Sequence, residues 1–402
     1  MKKLYIKKDI NFLCIVSIVA ANLYVSKTIN FLVLIFWLLY YIKQNCFKLY
    51  LRLPGIHFYS YFLLTGAICG IINLGAEGHS IYSLLKHLYY FIIPFLYAEI
   101  GYMLSKKNKA FDKSLNDLTQ AIMIVTIADL IWSITRLLNG GFTTLHQMRN
   151  LIGGGSIFPV IGLFALLLYK KDIAFSGTKY VVCAFICASD LLIHFSRTFL
   201  LELLILLLFS GIIKDIKKFT KFILMTLIAV LVASIIAPQL TYSFLEKIIG
   251  SIVEINGSTS SWNYVTINNN WRGYELYCEM QRFSESSLFE QLFGGGFGTT
   301  LDALGYAYLV SNESRLIFIH NGYGNILMVW GVAGIIAYIG WLGSLYYKAK
   351  LALDYRNRNF LKGLAIIIAV VTGFIMGPFF SEGVAMYMFI YSLFLRNPSI
   401  YN

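Results

Sequence analysis

Two arginines and one histidine in this sequence have side chains suited to chemistry on a phosphorylated substrate. Arg197 follows Ser196, Arg272 precedes a glycine-rich run, and His320 stands directly before a long apolar segment. A guanidinium binds phosphate or carboxylate oxygens through two parallel bonds. An imidazole titrates near neutral pH and can take a proton from a hydroxyl group. Together these groups could stabilise a departing anion and activate an attacking hydroxyl.

Asp190 and His194 lie seven and three residues before Arg197, which places the three side chains on one face of a helix. Charged and polar groups are costly to bury at a membrane edge and are usually functional there. The alternative is an Asp190–Arg197 network that only holds two helices together. Asp190 and His194 are therefore candidate substrate-binding residues, and both interpretations stay open at the level of the sequence.

His320 begins a pattern of His-Asn, nine residues, Gly, two residues and Gly, which ends at Gly334. On a helix, Gly324, Gly331 and Gly334 would lie on or near one face and would let a neighbouring helix approach closely. Asn321, next to the histidine, is a candidate substrate-binding residue.

The segment 241–321 is the one long hydrophilic stretch of the chain, and it is rich in aromatic and amide side chains. Aromatic faces beside amides and carboxylates suit a sugar, although the same composition suits an aromatic belt at a membrane interface. Tyr274 is the candidate substrate-binding residue of this segment. The glycine run at 294–298 follows no predicted strand, so we predict a flexible or tightly turning loop and exclude a dinucleotide site.

The elements that carry these residues are predicted to be membrane helices. Hydrophobic residues make up 58% of the 402 residues and charged residues only 13%, whereas a soluble domain has about 25% charged residues. Apolar runs of about 17–25 residues recur along the chain, as in membrane-spanning helices. The net charge of +13 does not indicate nucleic acid as a partner, because the cations lie in short loops between apolar runs.

We predict an all-α polytopic membrane protein with about 12 transmembrane helices and a large loop between the ninth and the tenth. The predicted spans are 10–26, 28–43, 56–74, 81–104, 117–138, 151–169, 179–196, 198–213, 222–240, 322–347, 360–376 and 384–395. Three regions follow from these spans. Residues 1–240 hold the first nine helices, 241–321 form the loop, and 322–402 hold the last three helices.

Lysine and arginine mark the predicted cytoplasmic side of the membrane. Most of the 33 Lys and Arg residues fall in alternate short loops, which the positive-inside rule assigns to the cytoplasm. Both termini are then cytoplasmic, and the segment 241–321 faces outward. We interpret the basic and apolar N-terminal segment as an uncleaved first span rather than a signal peptide.

The cations on the predicted outer side are mostly arginines. They are Lys27, Lys86, Arg136, Arg149, Arg197, Lys247, Arg272, Arg282 and Arg315. Because arginine is better suited than lysine to bidentate anion binding, this set could include an anion site. The alternative is that the outer arginines pair with loop acids such as Glu275, Glu279 and Glu285.

The histidine pattern at 320–334 resembles the signature shared by O-antigen ligases and polysaccharide polymerases of the Gram-negative envelope. Arg197 in Ser-Arg-Thr and Arg272 in Trp-Arg-Gly-Tyr-Glu match arginines of that family in type and order. The resemblance covers roughly residues 180–345, and Arg149 is added from its position. It implies a GT-C-like glycosyltransferase fold in the bacterial inner membrane, with the active face in the periplasm.

The resemblance also implies an enzyme whose donor is a polyprenyl-diphosphate-linked oligosaccharide in the lipid bilayer. Arg197 and Arg272, with Arg149 as a third, would stabilise the leaving diphosphate, and His320 would act as base toward the acceptor hydroxyl. A single displacement would invert the anomeric configuration. No metal and no cofactor are implied, and the sequence itself shows no metal-binding cluster.

O-antigen polymerase activity is favoured over ligase activity, because joining two lipid-linked units needs room for two anionic head groups. A chain-length regulator is expected as a partner of such a polymerase. The alternatives are a ligase that acts on lipid A-core and a related capsule- or protein-glycosylating enzyme. A transporter of the lipid-linked glycan would instead need charged side chains along a path through the spans. The candidates for such a path are Glu99, Asp129, Asp190 and Glu202.

Overall fold

The computed structural model describes residues 2–45, 55–107, 111–141, 145–170, 177–194, 196–209, 262–311, 313–352 and 354–395, with single positions between these ranges. Within these ranges the chain is helical, and extended residues meet only in the isolated bridges His79–Thr299 and Leu301–Leu316. The predicted all-helical class is therefore confirmed for the part of the chain that the structure describes.

The described helices divide into those before and those after the long hydrophilic segment. The first group is α1 (Lys2–Tyr24), α2 (Lys27–Gln44), α3 (Ile56–Ile72), α4 (Ile81–Lys107), α5 (Phe111–Asn139), α6 (Leu145–Ile152), α7 (Phe158–Leu168), α8 (Gly177–Ile193) and α9 (Arg197–Phe209). The hydrophilic segment contains α10 (Tyr264–Asn269), α11 (Trp271–Glu285) and α12 (Leu288–Phe293). The last group is α13 (Gly322–Lys350), α14 (Tyr355–Phe374) and α15 (Glu382–Phe394).

Every predicted span except the ninth coincides with one of these helices, and the ninth, 222–240, lies almost wholly outside the described residues. The sixth predicted span, 151–169, begins too early. Gly153 and Gly155 have φ values of 81° and 77°, which a right-handed helix cannot contain. The two glycines therefore separate α6, which carries Arg149, from α7.

Among the described residues, four helices are long and apolar enough to cross a membrane: Ile81–Lys106, Phe111–Asn139, Gly322–Lys350 and Tyr355–Phe374. Shorter apolar helices include α3, α7 and α15. Large apolar side chains face outward from the helices, among them Leu138 at 81% and Phe185 at 71% exposure. Such exposure is unfavourable in water but not in hydrocarbon. These helices are therefore compatible with a membrane protein.

Helices α4 and α15 form the centre of the bundle. The apolar window of α4 is 78% buried, whereas that of α5 is 33% buried. Gly101 lets the two central helices approach closely, because a Cβ atom there would lie 2.5 Å from the Phe389 carbonyl oxygen. Helix α15 is buried along almost its whole length. Since the pair is surrounded by other helices, α5 and its neighbours provide the outer surface.

Helix α13 is broken at Gly331, where φ is 64° and ψ is −161°. The N–H groups of Gly295 and Gly296 donate to the carbonyl oxygens of Met328 and Val329 at 3.1 and 2.9 Å. In an unbroken helix those carbonyls would accept from residues four positions later. The glycine-rich loop therefore replaces helical hydrogen bonds at the break and is fixed to α13 through its backbone.

The glycine-rich loop is tightly turning and buried, which is one of the two forms that the sequence allowed. Gly294 and Gly296 have φ values of 73° and 79°. Phe297 is 1% exposed, and its N–H donates to the carbonyl oxygen of Gly66 in α3 at 2.7 Å. The loop is thus held between α3 and α13.

The predicted glycine face of α13 is wrong. A Cβ atom at Gly331 would lie 2.5 Å from the backbone carbonyl of Leu292, so the element that approaches closely is the end of α12. Gly324 has Ile319 as its nearest neighbour, and Gly334 has a side chain of α13 itself. The glycine at 331 serves the break in the helix and its contact with the loop.

We expect Gly331→Ala to destabilise the protein, because a side chain at positive φ is strained by about 1–3 kcal/mol and would also collide with Leu292. The measurement is the thermal unfolding temperature of the detergent-purified protein. Gly343→Ala is the control, since it lies on the same helix with nothing within 4 Å of its Cβ position. Equal unfolding temperatures for the two variants would contradict this account of the break.

Candidate functional site

Glu275 of α11 holds His320 at the N-terminal end of α13. Its carboxylate accepts the backbone N–H of His320 at 2.7 Å and lies 3.0 Å from the ring Nδ1. The indole N–H of Trp271 donates to the same carboxylate at 2.6 Å. The Glu275 side chain is 0% exposed, whereas that of His320 is 37% exposed. A buried acid therefore orients an accessible imidazole.

The backbone on both sides of His320 is fixed by two asparagines. Asn325 accepts the N–H of Ile319 at 2.9 Å and donates to the Ile319 carbonyl oxygen at 2.6 Å. The side chain of Asn321 accepts the N–H of Gly324 at 3.0 Å and so caps α13. The predicted substrate-binding residue Asn321 thus has a structural role in this geometry, and His320 stands on a rigid turn.

Arg149, Arg197 and Arg272 are brought together from three different elements. Arg149 lies on α6, Arg197 is the first residue of α9, and Arg272 lies in the first turn of α11. Burial lowers the pKa of the Arg149 guanidinium, and the positive charges of Arg197 and Arg272 lower it further. Because like charges repel and arginine stays protonated, this arginine cluster is suited to hold an anion.

Helix α11 carries residues of both parts of the predicted site. Arg272 and Glu275 are three residues apart on α11, so they lie on neighbouring positions of the helix surface. Glu275 contacts His320 directly, and the charge of Arg272 acts on Arg149.

Asp190 and His194 are buried, at 1% and 2% exposure. His194 packs against Gly155, where a Cβ atom would lie 2.9 Å from the ring, and its Nε2 lies 3.6 Å from Oδ2 of Asp129. The structure shows no ion pair between Asp190 and Arg197, so the network considered from the sequence is not formed. Asp190 instead lies close to Asp129 and His194. His194 contacts Gly155 in the turn after α6, the helix that carries Arg149.

Two other outer arginines pair with acids, as the alternative interpretation predicted. Arg282 bonds to Glu279 and Glu290, and Arg315 lies within ion-pair distance of Glu77 and Asp302. Lys247 lies outside the described residues. The charges of these two arginines are therefore offset by acids within the described part of the chain.

Tyr274, predicted to bind substrate, is 2% exposed. Its hydroxyl donates to the carbonyl oxygen of Ala303 at 3.1 Å, and its ring packs against Trp262, Trp271 and Tyr306. Tyr274 therefore has a packing role within the hydrophilic segment. The candidate functional groups of α11 are those of its neighbours Arg272 and Glu275.

Sequence reasoning missed Glu275 and Asn325 as site residues. Glu275 was considered only as a partner for arginine, and its position three residues after Arg272 was the available signal. Asn325 follows His320 by five residues within the same pattern. Neither position predicts which residue is contacted. The contacts of Glu275 with His320 and of Asn325 with Ile319 depend on how the hydrophilic segment folds onto α13.

In comparisons with known proteins, no family model and no curated protein matches this chain.

We expect inorganic diphosphate to raise the unfolding temperature of the wild-type protein, because an anion would offset the repulsion within the arginine cluster. A ligand at one hundred times its Kd stabilises the folded state by about 2.7 kcal/mol. Arg149→Gln should reduce this shift strongly and should be at least as stable as the wild type without diphosphate.

Arg136→Gln is the matched control for this measurement, since Arg136 is exposed and stacks on Trp132. It should keep the full shift. A wild-type protein that shows no shift, or an Arg149 variant with an undiminished one, would contradict anion binding by the cluster.

Proposed function

We propose that this protein is an O-antigen polymerase, a membrane glycosyltransferase that joins polyprenyl-diphosphate-linked repeat units of a surface polysaccharide. The observation that carries the proposal is the grouping of Arg149, Arg197 and Arg272, with Arg272 one helical turn before the Glu275 that holds the imidazole of His320. This arrangement offers cationic donors for a leaving diphosphate and a base for an attacking hydroxyl within one site.

On the donor side, cleavage of the bond between sugar and diphosphate leaves negative charge on the diphosphate oxygen. Guanidinium groups that are already in place stabilise this charge without reorganisation, and one well-placed donor is worth about 3–4 kcal/mol. Arg197 is the first residue of α9, and the N-terminal end of a helix also favours an anion.

On the acceptor side, His320 is the base. The carboxylate of Glu275 accepts from Nδ1, so Nδ1 carries the hydrogen and Nε2 presents its lone pair. Nε2 takes the hydroxyl proton as the oxygen attacks the anomeric carbon, and Glu275 stabilises the imidazolium that forms. One displacement inverts the anomeric configuration, and the diphosphate leaves toward the arginines.

The proposed setting is the bacterial inner membrane, with about 12 spans, a GT-C-like fold and both termini in the cytoplasm. The alternation of basic short loops supports this orientation. It turns His320 and the arginine cluster toward the periplasm, where polyprenyl-linked repeat units are presented. A chain-length regulator is the proposed protein partner.

The second candidate is an O-antigen ligase, which uses the same donor chemistry with lipid A-core as the acceptor. A transporter is less well supported by the geometry. Of the acids that could line a path, Glu202 accepts a hydrogen bond from Tyr387 at 2.6 Å, and Asp129 and Asp190 group with a histidine.

The experiment that tests the function is deletion of the gene in its native host, followed by gel analysis of the lipopolysaccharide. Core molecules capped with a single repeat unit would support the polymerase. Bare core, with long chains retained on the polyprenyl carrier, would identify a ligase instead. An unchanged ladder of chain lengths would overturn both assignments.

Complementation of the deletion with variants tests the catalytic roles. We expect His320→Ala and Arg197→Ala to give no polymer, and Glu275→Gln to lower the rate roughly 10²-fold or more, because a positioned base contributes about 10²–10⁴. Glu285→Gln, at the far end of α11, is the control and should restore the full ladder. Full activity of Glu275→Gln would remove that residue from the mechanism.

A further inference from the structure

Asp129, Asp190 and His194 form a cluster of potential metal ligands that the transfer chemistry does not use. Asp129 comes from α5, Asp190 from α8, and His194 follows the end of α8. One ligand atom from each residue lies within 4.8 Å of the others. The Nε2 atom of His194 is 3.6 Å from Oδ2 of Asp129.

The histidine is oriented as a ligand. Its Nδ1 lies 3.1 Å from the backbone carbonyl oxygen of Asp190, so Nδ1 carries the hydrogen and donates it to that oxygen. Nε2 then directs a lone pair toward the carboxylate of Asp129. A histidine that ligates a metal usually donates its other ring N–H in this way.

One carboxylate oxygen of the cluster lacks a hydrogen-bond partner. Oδ1 of Asp190 is buried and has no hydrogen-bond partner, and the residue is 1% exposed. Among the described residues, no Lys or Arg lies within ion-pair distance of Asp129 or Asp190. The nearby hydroxyl of Tyr24 donates to the carbonyl oxygen of Val125 at 2.8 Å. A buried carboxylate stays charged only beside a cation, so a bound cation would satisfy this cluster.

We propose that Asp129, Asp190 and His194 bind one divalent transition-metal cation, of the Zn²⁺ or Mn²⁺ type. Imidazole is a common ligand of zinc ions, and carboxylates bind both zinc and manganese ions. A tetrahedral ion with bonds of about 2.0–2.1 Å separates its ligand atoms by about 3.4 Å, close to the 3.6 Å between His194 and Asp129.

The ion would join α5 to α8, and a water molecule would complete the coordination by three protein ligands. Because His194 packs against Gly155, the ion would also fix the turn between α6 and α7, and with it the position of Arg149. The proposal concerns the binding of a cation and does not depend on the proposed glycosyl transfer.

The test measures bound zinc in the full-length protein, purified in detergent through an affinity tag without histidine and dialysed against Zn²⁺. Elemental analysis should find about one zinc per chain in the wild type and at least a tenfold lower content in Asp190→Asn. The control is Glu202→Gln, which alters another buried acid outside the cluster and should keep the full content. A wild type without zinc would overturn the proposal and indicate a proton held between the carboxylates.

X-ray absorption at the zinc edge of the wild-type protein keeps the test decisive if Asp190→Asn does not fold. The proposal requires a shell of oxygen and nitrogen ligands with the scattering of one imidazole. Sulfur ligands at about 2.3 Å, or zinc content that is unchanged in a folded Asp190→Asn, would place the ion elsewhere and refute the site.

Discussion

The backbone hydrogen bonds from Gly295 and Gly296 to Met328 and Val329 set the position of everything around His320. They are made where α13 is broken at Gly331, and they fix the glycine-rich loop of the hydrophilic segment to the helix that His320 precedes. Helix α11, which lies before this loop in the chain, places Glu275 against the histidine. A side chain at Gly331 would meet the backbone of α12, so the contact requires a residue without a Cβ atom.

The same contact determines how charge is distributed over the site. Glu275 is completely buried, yet its two oxygens are satisfied by Trp271 and by the backbone and ring of His320. The arginines fall into two groups. Arg282 and Arg315 form ion pairs with acids, whereas the positive charges of Arg197 and Arg272 lower the pKa of Arg149. An anion bound there would offset the repulsion between these like charges.

The opposite charge balance is found near the arginine cluster, because Asp129 and Asp190 have no Lys or Arg partner among the described residues. The acids and the arginines approach each other at the turn after α6, where Gly155 packs on His194 and Arg149 lies a few residues earlier. The position of that turn would therefore link the proposed cation site to the arginine cluster.

The sequence by itself determined the helical class and nearly all of the apolar segments, and it singled out His320, Arg197 and Arg272 as candidate site residues. Long apolar runs and positive charge in short loops are local properties, and the histidine pattern is contiguous. Only the tertiary structure decided that Glu275 serves the histidine, that Gly331 breaks its helix and that Asp129 joins Asp190. Tyr274 and Asn321 could equally face a substrate or the protein when judged by residue type. A carboxylate, an amide or a glycine does not specify its partner, because that choice is made by packing between residues far apart in the chain.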